Sequence, residues 1–143
     1  MITTEVIRDW FLQCPTVDTV LDFNTDYLGD STNACTIYSL PTNLKYTEDV
    51  VGNISFNTVQ SLNFIFALRA PYGDDVRQNL DNLGFFDNLK DWMYEQNTLK
   101  NFPIIDDGEV KSIMPIQTEF ISSATSDTAM YEMHCELKYW RNK

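Results

Sequence analysis

The sequence predicts a single α+β domain, residues 1–143, in which an antiparallel or mixed β-sheet carries its helices on one face. Apolar periodicity places a helix at the N-terminus, then a run of strands, a central helical block and two long strands at the end. Runs of strands around a helical block, rather than strict alternation, are typical of α+β domains. With 143 residues, of which 43% are hydrophobic, the chain is long enough to bury one core.

The N-terminal helix is predicted from one apolar stripe. Thr3 or Thr4 is suited to cap it, and Glu5 lies in the first turn, where the helix dipole favours a carboxylate. The stripe follows i, i+3, i+4, i+7 spacing and comprises Ile7, Trp10, Phe11 and Cys14. Pro15 is expected to end the helix, and the stripe to pack on the sheet. The alternative is an exposed docking helix.

The first strands are predicted from residues 19–25, which alternate weakly, and from residues 34–40, which are rich in β-formers and end at Pro41. Residues 26–30 between them are interpreted as a turn or loop. Their order predicts two short strands before the hairpin described next.

A β-hairpin is predicted from residues 46–51 and 58–69. Its turn falls either at Gly52-Asn53, the stronger turn dipeptide, or at Asn57-Thr58. One face of the second strand carries Leu62, Phe64, Phe66 and Leu68, and the other carries Asn63, Ile65, Ala67 and Arg69. The half-polar second face predicts a sheet with one less buried side.

The central helical block begins after Pro71-Tyr72-Gly73, with Asp74 and Asp75 at its positive end. Gly84 predicts a kink, or a break between two helices, and the helical period continues to about Asn97. The stripe expected to form the core layer against the sheet comprises Val76, Leu80, Leu83, Phe85, Phe86, Leu89, Trp92 and Met93.

Two long strands are predicted to close the chain. Residues 98–109 form a loop, residues 110–122 the first strand and residues 128–140 the second, and the turn-like link between them implies antiparallel pairing. One face of the last strand comprises Tyr131, Met133, Cys135, Leu137 and Tyr139, and the other comprises Met130, Glu132, His134, Glu136, Lys138 and Trp140.

The charge narrows the classes of function. The chain carries 21 acidic and 10 scattered basic residues, a net charge of -11, so specific nucleic-acid binding, which needs clustered cations, is not expected. No apolar run approaches the ~18 residues of a membrane span, and no basic N-terminal region suggests a secretory signal.

Three cysteines with wide spacing, Cys14, Cys35 and Cys135, predict buried free thiols in a reducing compartment. The sharper alternative is a nucleophilic thiol paired with His134, the single histidine. Cys135 is its neighbour on a predicted strand and points to the opposite face, so Cys14 or Cys35 would have to supply the thiol.

No motif supports a catalytic, cofactor or metal site. Residues 106–109 are acidic but lack the EF-hand spacing, and they are interpreted as a solvated loop. Glu132, His134 and Glu136 share a strand face but stand roughly 7 Å apart in succession, so one metal ion reaches at most two of them. Arg69 is suited to grip a carboxylate or phosphate, or simply to form a surface pair.

Read as ordered segments, the chain resembles small minor capsid or tail-completion proteins of tailed phages that infect Gram-positive bacteria. The segments are Trp10 with Cys14-Pro15, Asp26-Tyr27-Leu28-Gly29, Tyr38-Ser39-Leu40-Pro41, Phe64-Ile65-Phe66-Ala67 with Arg69, Tyr72-Gly73, Gln78-Asn79-Leu80, Gly84-Phe85, Trp92, Glu95-Gln96-Asn97, Asp127-Thr128-Ala129 with Tyr131, and Cys135-x-Leu137-x-Tyr139. The resemblance covers nearly the full length, and the order of the segments carries it.

The resemblance implies a non-enzymatic subunit similar to tail terminators. Such subunits form a homo-oligomeric ring, usually of six copies, which caps the tail tube and meets the head connector. The implied partners are further copies, the tail tube protein and a head connector or completion protein. The implied location is the head–tail region of the virion, assembled in the host cytoplasm. No cofactor and no catalytic residue is implied.

A ring needs two different patches on each copy, each burying at least ~500 Å². The candidates for these patches are an exposed sheet edge, which invites pairing with another chain, or surface aromatics, namely Tyr27, Tyr72 and Trp140, with Trp140 favoured. Three alternatives remain open. One is a minor capsid or connector-completion protein of the same virion region. Another is a small α+β hydrolase or ligand-binding domain with a pocket under the helices. The third is an acidic inhibitor that mimics DNA.

Overall fold

A computed structural model describes residues 4–20, 22–28 and 32–142, and it has the α+β architecture that the sequence predicts. The helices are α1 (Thr4–Phe11) and α2 (Val76–Leu99), with a short 3₁₀ helix at Val17–Thr19. The strands are β1 (Asp22–Thr25), β2 (Ala34–Ser39), β3 (Thr47–Glu48), β4 (Ile54–Ser55), β5 (Val59–Pro71), β6 (Gly108–Pro115), β7 (Phe120–Ala124) and β8 (Thr128–Arg141). Within the described part of the chain, neither helix is long and apolar enough to span a membrane.

The main sheet has the strand order β1-β2-β5-β8-β6, and β7 also pairs with β8. The sheet is mixed, because β1 runs parallel to β2 and the other pairs are antiparallel. Its spine is the β5–β8 ladder, which runs from Val59 opposite Trp140 to Pro71 opposite Thr128. This ladder spans about 40 Å at ~3.3 Å per residue.

Both helices pack on the same face of this sheet. The predicted alternation is confirmed: Phe64, Phe66 and Leu68 of β5 lie in the main core, whereas Ile65 and Ala67 lie in a smaller cluster on the outer face. In β8 the main core receives Tyr131, Met133, Cys135 and Leu137. The sheet therefore separates a helix-covered core from a thinly covered outer face.

The stripe of α1 is buried as predicted, so the exposed docking helix is wrong. Trp10 is packed against Trp92 with ring centroids 4.5 Å apart, and its indole N–H donates to the Asn101 carbonyl at 2.9 Å. Phe11 lies 5.1 Å from Phe66, which places α1 over the centre of β5. The helix ends at Phe11, before Pro15; Thr3 lies outside the described residues.

Helix α2 is rotated relative to the prediction. Val76, Leu80 and Leu83, expected in the core, are 70%, 57% and 42% exposed. The buried residues are Asn82, Phe86, Leu89, Met93 and Gln96. The rotation has a visible cause at Asn82, whose amide donates to the Pro71 carbonyl at 2.7 Å and reaches the Tyr131 hydroxyl at 3.3 Å.

The predicted kink or break at Gly84 is also wrong, since α2 runs unbroken from Val76 to Leu99. A glycine in a helix interior costs about 1 kcal/mol relative to alanine, and this cost is smaller than what burial of the following turns stabilises. The helix is capped by Asp75, whose carboxylate accepts from the Arg77 N–H at 3.0 Å, and it ends at Lys100 in a left-handed conformation.

The predicted pairing of residues 46–51 with residues 58–69 is wrong. β3 pairs with β4 in a separate two-stranded sheet, whereas β5 pairs with β2 and β8. Of the two candidate turns, the one at Gly52-Asn53 is confirmed, because Gly52 adopts φ +89° between β3 and β4. The apolar face of β5 is longer than that of residues 46–51. β5 therefore pairs with β2 and β8, the two strands that extend the core.

The predicted strand 110–122 is divided into β6 and β7, and both pair with β8. Residues 116–119 leave the sheet between them. Here Glu119 meets Lys90 of α2 at 2.9 Å, and this ion pair holds the crossing segment against the helix.

Candidate functional site

The three surface aromatics singled out from the sequence lie apart. Tyr27 is exposed in the loop after β1, where its N–H donates to the Thr36 hydroxyl. Tyr72 is half-buried against the main core just after β5. Trp140 is exposed near the end of β8, at the opposite end of the β5–β8 ladder from Tyr72. The structure does not bring the three into one patch.

The most prominent exposed apolar feature is a hairpin that projects from the sheet, here called the arm (residues 44–58). It contains β3, β4 and the turn between them. Its exposed large apolar side chains are Leu44, Tyr46, Val50, Val51, Ile54 and Phe56, and Val59 adjoins them at the base. Scattered exposed apolar residues are ordinary, but six large apolar side chains exposed on one short hairpin are typical of an interaction surface.

The base of the arm is fixed by Gln60, which is only 1% exposed. Its amide nitrogen donates to the carbonyls of Lys45 and Phe56, and its amide oxygen accepts from the Lys45 N–H at 2.9 Å. One side chain therefore joins both ends of the arm. The rings of Tyr46 and Phe56 meet edge to face at 6.0 Å above it.

The tip of the arm is a preformed turn that presents two valines. The Asp49 carboxylate accepts from the N–H groups of Val51 at 3.0 Å and Asn53 at 2.9 Å, and Gly52 supplies the left-handed residue. The hydrogen bond from the Asn53 N–H lowers the pKa of Asp49. Val50 is fully exposed and Val51 is 77% exposed, so the turn orders its backbone while leaving apolar side chains in water.

A second exposed apolar feature lies on α2. Leu80, Gly84 and Phe85 border a shallow groove of about 480 Å³, here called the α2 groove, which is completed by Pro15, Thr16, Asp81 and Asn88. Val76 and Leu83 extend its apolar rim along the exposed side of the helix. This groove lies over the part of β5 between Phe66 and Pro71, because Phe85 packs on Phe66 with ring centroids 6.2 Å apart and the neighbouring Asn82 amide donates to the Pro71 carbonyl.

A third depression of about 450 Å³ lies between the end of α2 and the start of β6. Phe102, Ile105 and Val110 are among its apolar lining residues, and Lys100, Glu109 and Lys111 are its charged ones. Glu109 and Lys111 form an exposed surface pair at 3.3 Å. A ligand-binding alternative would use this depression.

The chemically reactive side chains lie on opposite faces of the sheet. The thiols of Cys14, Cys35 and Cys135 are buried in the helix-side core, as predicted. His134 points to the outer face, where its ring lies 5.8 Å from Phe120, so a Cys–His pair is wrong. Burial raises the pKa of the Cys14 and Cys135 thiols, which is the opposite of what a nucleophile needs.

The strand face that carries Glu132, His134 and Glu136 is half-buried. In the described part of the chain, no group of three or more His, Cys, Asp or Glu side chains is placed to hold a metal ion. Glu136 pairs with Lys138 at 3.7 Å, as expected of a mixed-charge face. Arg69 is half-buried opposite Ala34 and Met130 in the sheet.

Comparison with known proteins finds no family model and no curated protein that matches this chain. The resemblance to phage structural proteins therefore stays an expectation. Sequence reasoning missed the arm, although one signal for it was present: Val50-Val51 directly before Gly52-Asn53 puts two apolar residues in a turn, where polar residues are usual.

Proposed function

We propose that this chain is a non-enzymatic structural subunit of a tailed-phage virion. It acts as a tail terminator or head–tail joining subunit that closes the end of the tail tube as a ring. The observation that carries the proposal is the arm, a rigidly anchored hairpin whose apolar tip faces water. A hairpin of this kind is suited to assembly. Its exposed apolar side chains lower the solubility of the free chain, and they are removed from water only when another surface covers them.

Two further features support the proposal. The α+β fold agrees with the resemblance, which expects helices on one face of a mixed sheet. The arm and the α2 groove are two different exposed apolar patches on one chain, and a ring requires two different patches.

The test of this function is removal of the gene from a phage that carries it, with the chain supplied from a plasmid as the control. Without the chain, we expect tails of irregular length or full-length tails that fail to join heads. Electron micrographs showing normal tails joined to heads would contradict the proposal.

A connector-completion or minor capsid role in the same virion region differs in where the subunit sits. Electron cryomicroscopy of the virion separates the two roles. A ring at the end of the tail tube supports the tail terminator, and density inside the head connector supports the alternative.

A further inference from the structure

We propose that the arm of one copy docks its valine tip into the α2 groove of the next copy, so that copies join head to tail. The choice of a second copy as the occupant rests on the proposed function. The two surfaces are contributed by one chain, and each leaves large apolar side chains in water.

The two surfaces do not meet within one molecule. The arm leaves the sheet at Val59, and the α2 groove lies over the part of β5 between Phe66 and Pro71. These positions are roughly 23 to 40 Å from Val59 along the strand, at ~3.3 Å per residue. The arm is anchored at its base by Gln60, and Val50 at its tip is fully exposed. The tip of the arm is therefore open to another molecule.

The apolar area is sufficient for a stable contact. The arm has six exposed large apolar side chains and Val59 beside them. Summed over the tip, the sides and the base of the arm, their exposed part comes to roughly 800 Å². About 800 Å² is one partner's share of a standard interface, so a contact of this size covers the sides of the arm as well as its valine tip.

Gly84 is an independent indication that something approaches α2 closely. A Cβ built on Gly84 meets no atom within 4 Å, so no packing within the chain calls for glycine there. Its conformation is helical, which every residue except proline adopts at lower cost than glycine. Glycine in a helix is useful where another backbone comes close, and Gly84 lies between Leu80 and Phe85 in the floor of the α2 groove.

The geometry of this contact also determines the kind of assembly. An arm meeting a groove is a heterologous contact, because one patch faces a different patch on the next copy. Repetition of such a contact generates a ring when the rotation closes. Six-fold closure would correspond to the ring that the proposed function requires.

The first experiment is disulfide trapping between two singly substituted proteins, Val51→Cys and Leu80→Cys, mixed in equal amounts. The native thiols are buried and do not compete. We expect a cross-linked dimer from this mixture at least fivefold above that from Val51→Cys mixed with Ile104→Cys, a control position that is more open to solvent than Leu80. Equal yields in the two mixtures at 100 μM protein would overturn the proposal. A cross-link at Ile104 instead would point to a different interface, which also overturns it.

The second experiment uses Gly84→Ala. Alanine should raise the thermal midpoint by a few degrees, because the site is open and helical. Its methyl group should also weaken self-association in sedimentation at least threefold, because it occupies the floor of the α2 groove. Thr98→Ala, on the exposed last turn of the same helix, is the control and should leave association unchanged. A variant that is stabilised and associates as tightly as the parent chain would contradict the proposal.

Failure of this inference is distinguishable from failure of the proposed function. Tail defects in the deletion phage without arm-to-groove cross-links would leave the function standing and overturn this interface. Cross-links in solution with normal tails in the deletion phage would support the interface and contradict the virion function.

Discussion

Gln60 shows how one buried polar side chain holds the arm in position. Its amide makes three hydrogen bonds to the backbone of Lys45 and Phe56, and no apolar side chain of similar size would satisfy those groups. The arm therefore depends on one residue of β5 for its direction. A flexible arm would still expose its valines, but fixing its conformation when it binds another molecule would cost conformational entropy.

We predict that Gln60→Leu lowers the free energy of unfolding by about 1–3 kcal/mol, because it leaves part-buried backbone groups of Lys45 and Phe56 unpaired. Amide exchange in residues 44–58 should quicken far more than exchange in β5 and β8. Gln117→Leu, at an exposed glutamine, is the matched control and should change stability by less than ~0.5 kcal/mol. Uniformly faster exchange across the sheet would argue that Gln60 serves the core rather than the arm.

Lys90 and Glu119 form the least exposed ion pair in the described part of the chain, with side chains 17% and 8% exposed. The hydrogen bond to Glu119 raises the pKa of Lys90. A cation whose pKa is raised on folding contributes stability that is complete below its unfolded pKa, near 10.4, and that is lost as pH rises through the folded value.

We therefore predict that Lys90→Met lowers the free energy of unfolding at pH 7 by about 1–3 kcal/mol, since it leaves a nearly buried carboxylate unpaired. The difference between parent and variant should shrink as pH rises above about 10.5. Denaturant titrations at pH 7, 9, 10.5 and 11.5 measure it. Lys111→Met, which breaks the exposed pair with Glu109, should cost less than ~0.5 kcal/mol at every pH. A parent–variant difference that grows above pH 10.5 would contradict the role assigned to Lys90.

At the scale of elements, α2 shows where sequence patterns are informative and where they are not. Its second half carries regularly spaced large side chains, and Phe86, Leu89 and Met93 are buried as predicted. In its first half, the stripe through Val76, Leu80 and Leu83 is one position out of phase with the buried side. The offset is one residue, or about 100° of rotation about the helix axis. The spacing of apolar residues cannot reveal this offset when a buried asparagine occupies the position that faces the core.

Asparagines also attach the other end of α2 to the sheet. The Asn97 amide donates to the Ile113 carbonyl at 2.8 Å and accepts from the Ile113 N–H at 3.1 Å, so the side chain pairs with β6 as a neighbouring strand would. It also donates to the Met93 carbonyl at 2.7 Å. These bonds cover the outer edge of β6 at that point, and a covered edge is protected from pairing with other chains.

We predict that Asn97→Ala destabilises the protein by about 2 kcal/mol, because two groups of Ile113 lose their partner. Asn97→Asp should cost a similar amount, since it keeps the acceptor but replaces both donations with repulsion between oxygens. Glu95→Ala, exposed on the same helix, should change stability by less than ~0.5 kcal/mol. Thermal unfolding followed by circular dichroism measures all three variants. An Asn97→Asp variant as stable as the parent would contradict this pairing.

For the candidate site, the sequence located the turn of the arm but not its exposure. Residues 46–51 have strand-like composition, and Gly52 supplies the turn, so a hairpin was predictable. Whether residues 46–51 pair with β5 depends on which other strands can pair with β5. β8 does so along the full length of β5. The apolar periodicity of a short segment does not show which distant strand it will pair with. Aromatic type alone likewise could not separate Tyr72, which packs on the core, from Trp140, which does not.

At the scale of the whole molecule, the net charge of -11 opposes the proposed assembly of copies through the arm. Six copies in one ring would carry about six times that charge, and the repulsion must be offset by apolar contact or by a basic partner. Free copies would then stay apart at low salt, despite their exposed valines. A ring of this charge would also repel DNA passing through it rather than grip it, unless the groups facing the lumen are neutral or basic.

We predict that self-association strengthens as NaCl rises from 0.1 to 1 M, because the Debye length falls from about 10 to about 3 Å and screens like charges between copies. The substitution pair Val50→Thr and Val51→Thr should abolish this gain, since screening removes repulsion but supplies no attraction. Ile104→Thr, equally exposed but outside the arm, should retain it. Sedimentation velocity at the two salt concentrations measures the effect. If association weakens with salt, opposite charges rather than apolar contact hold the copies together, and the arm loses its role as the attractive element.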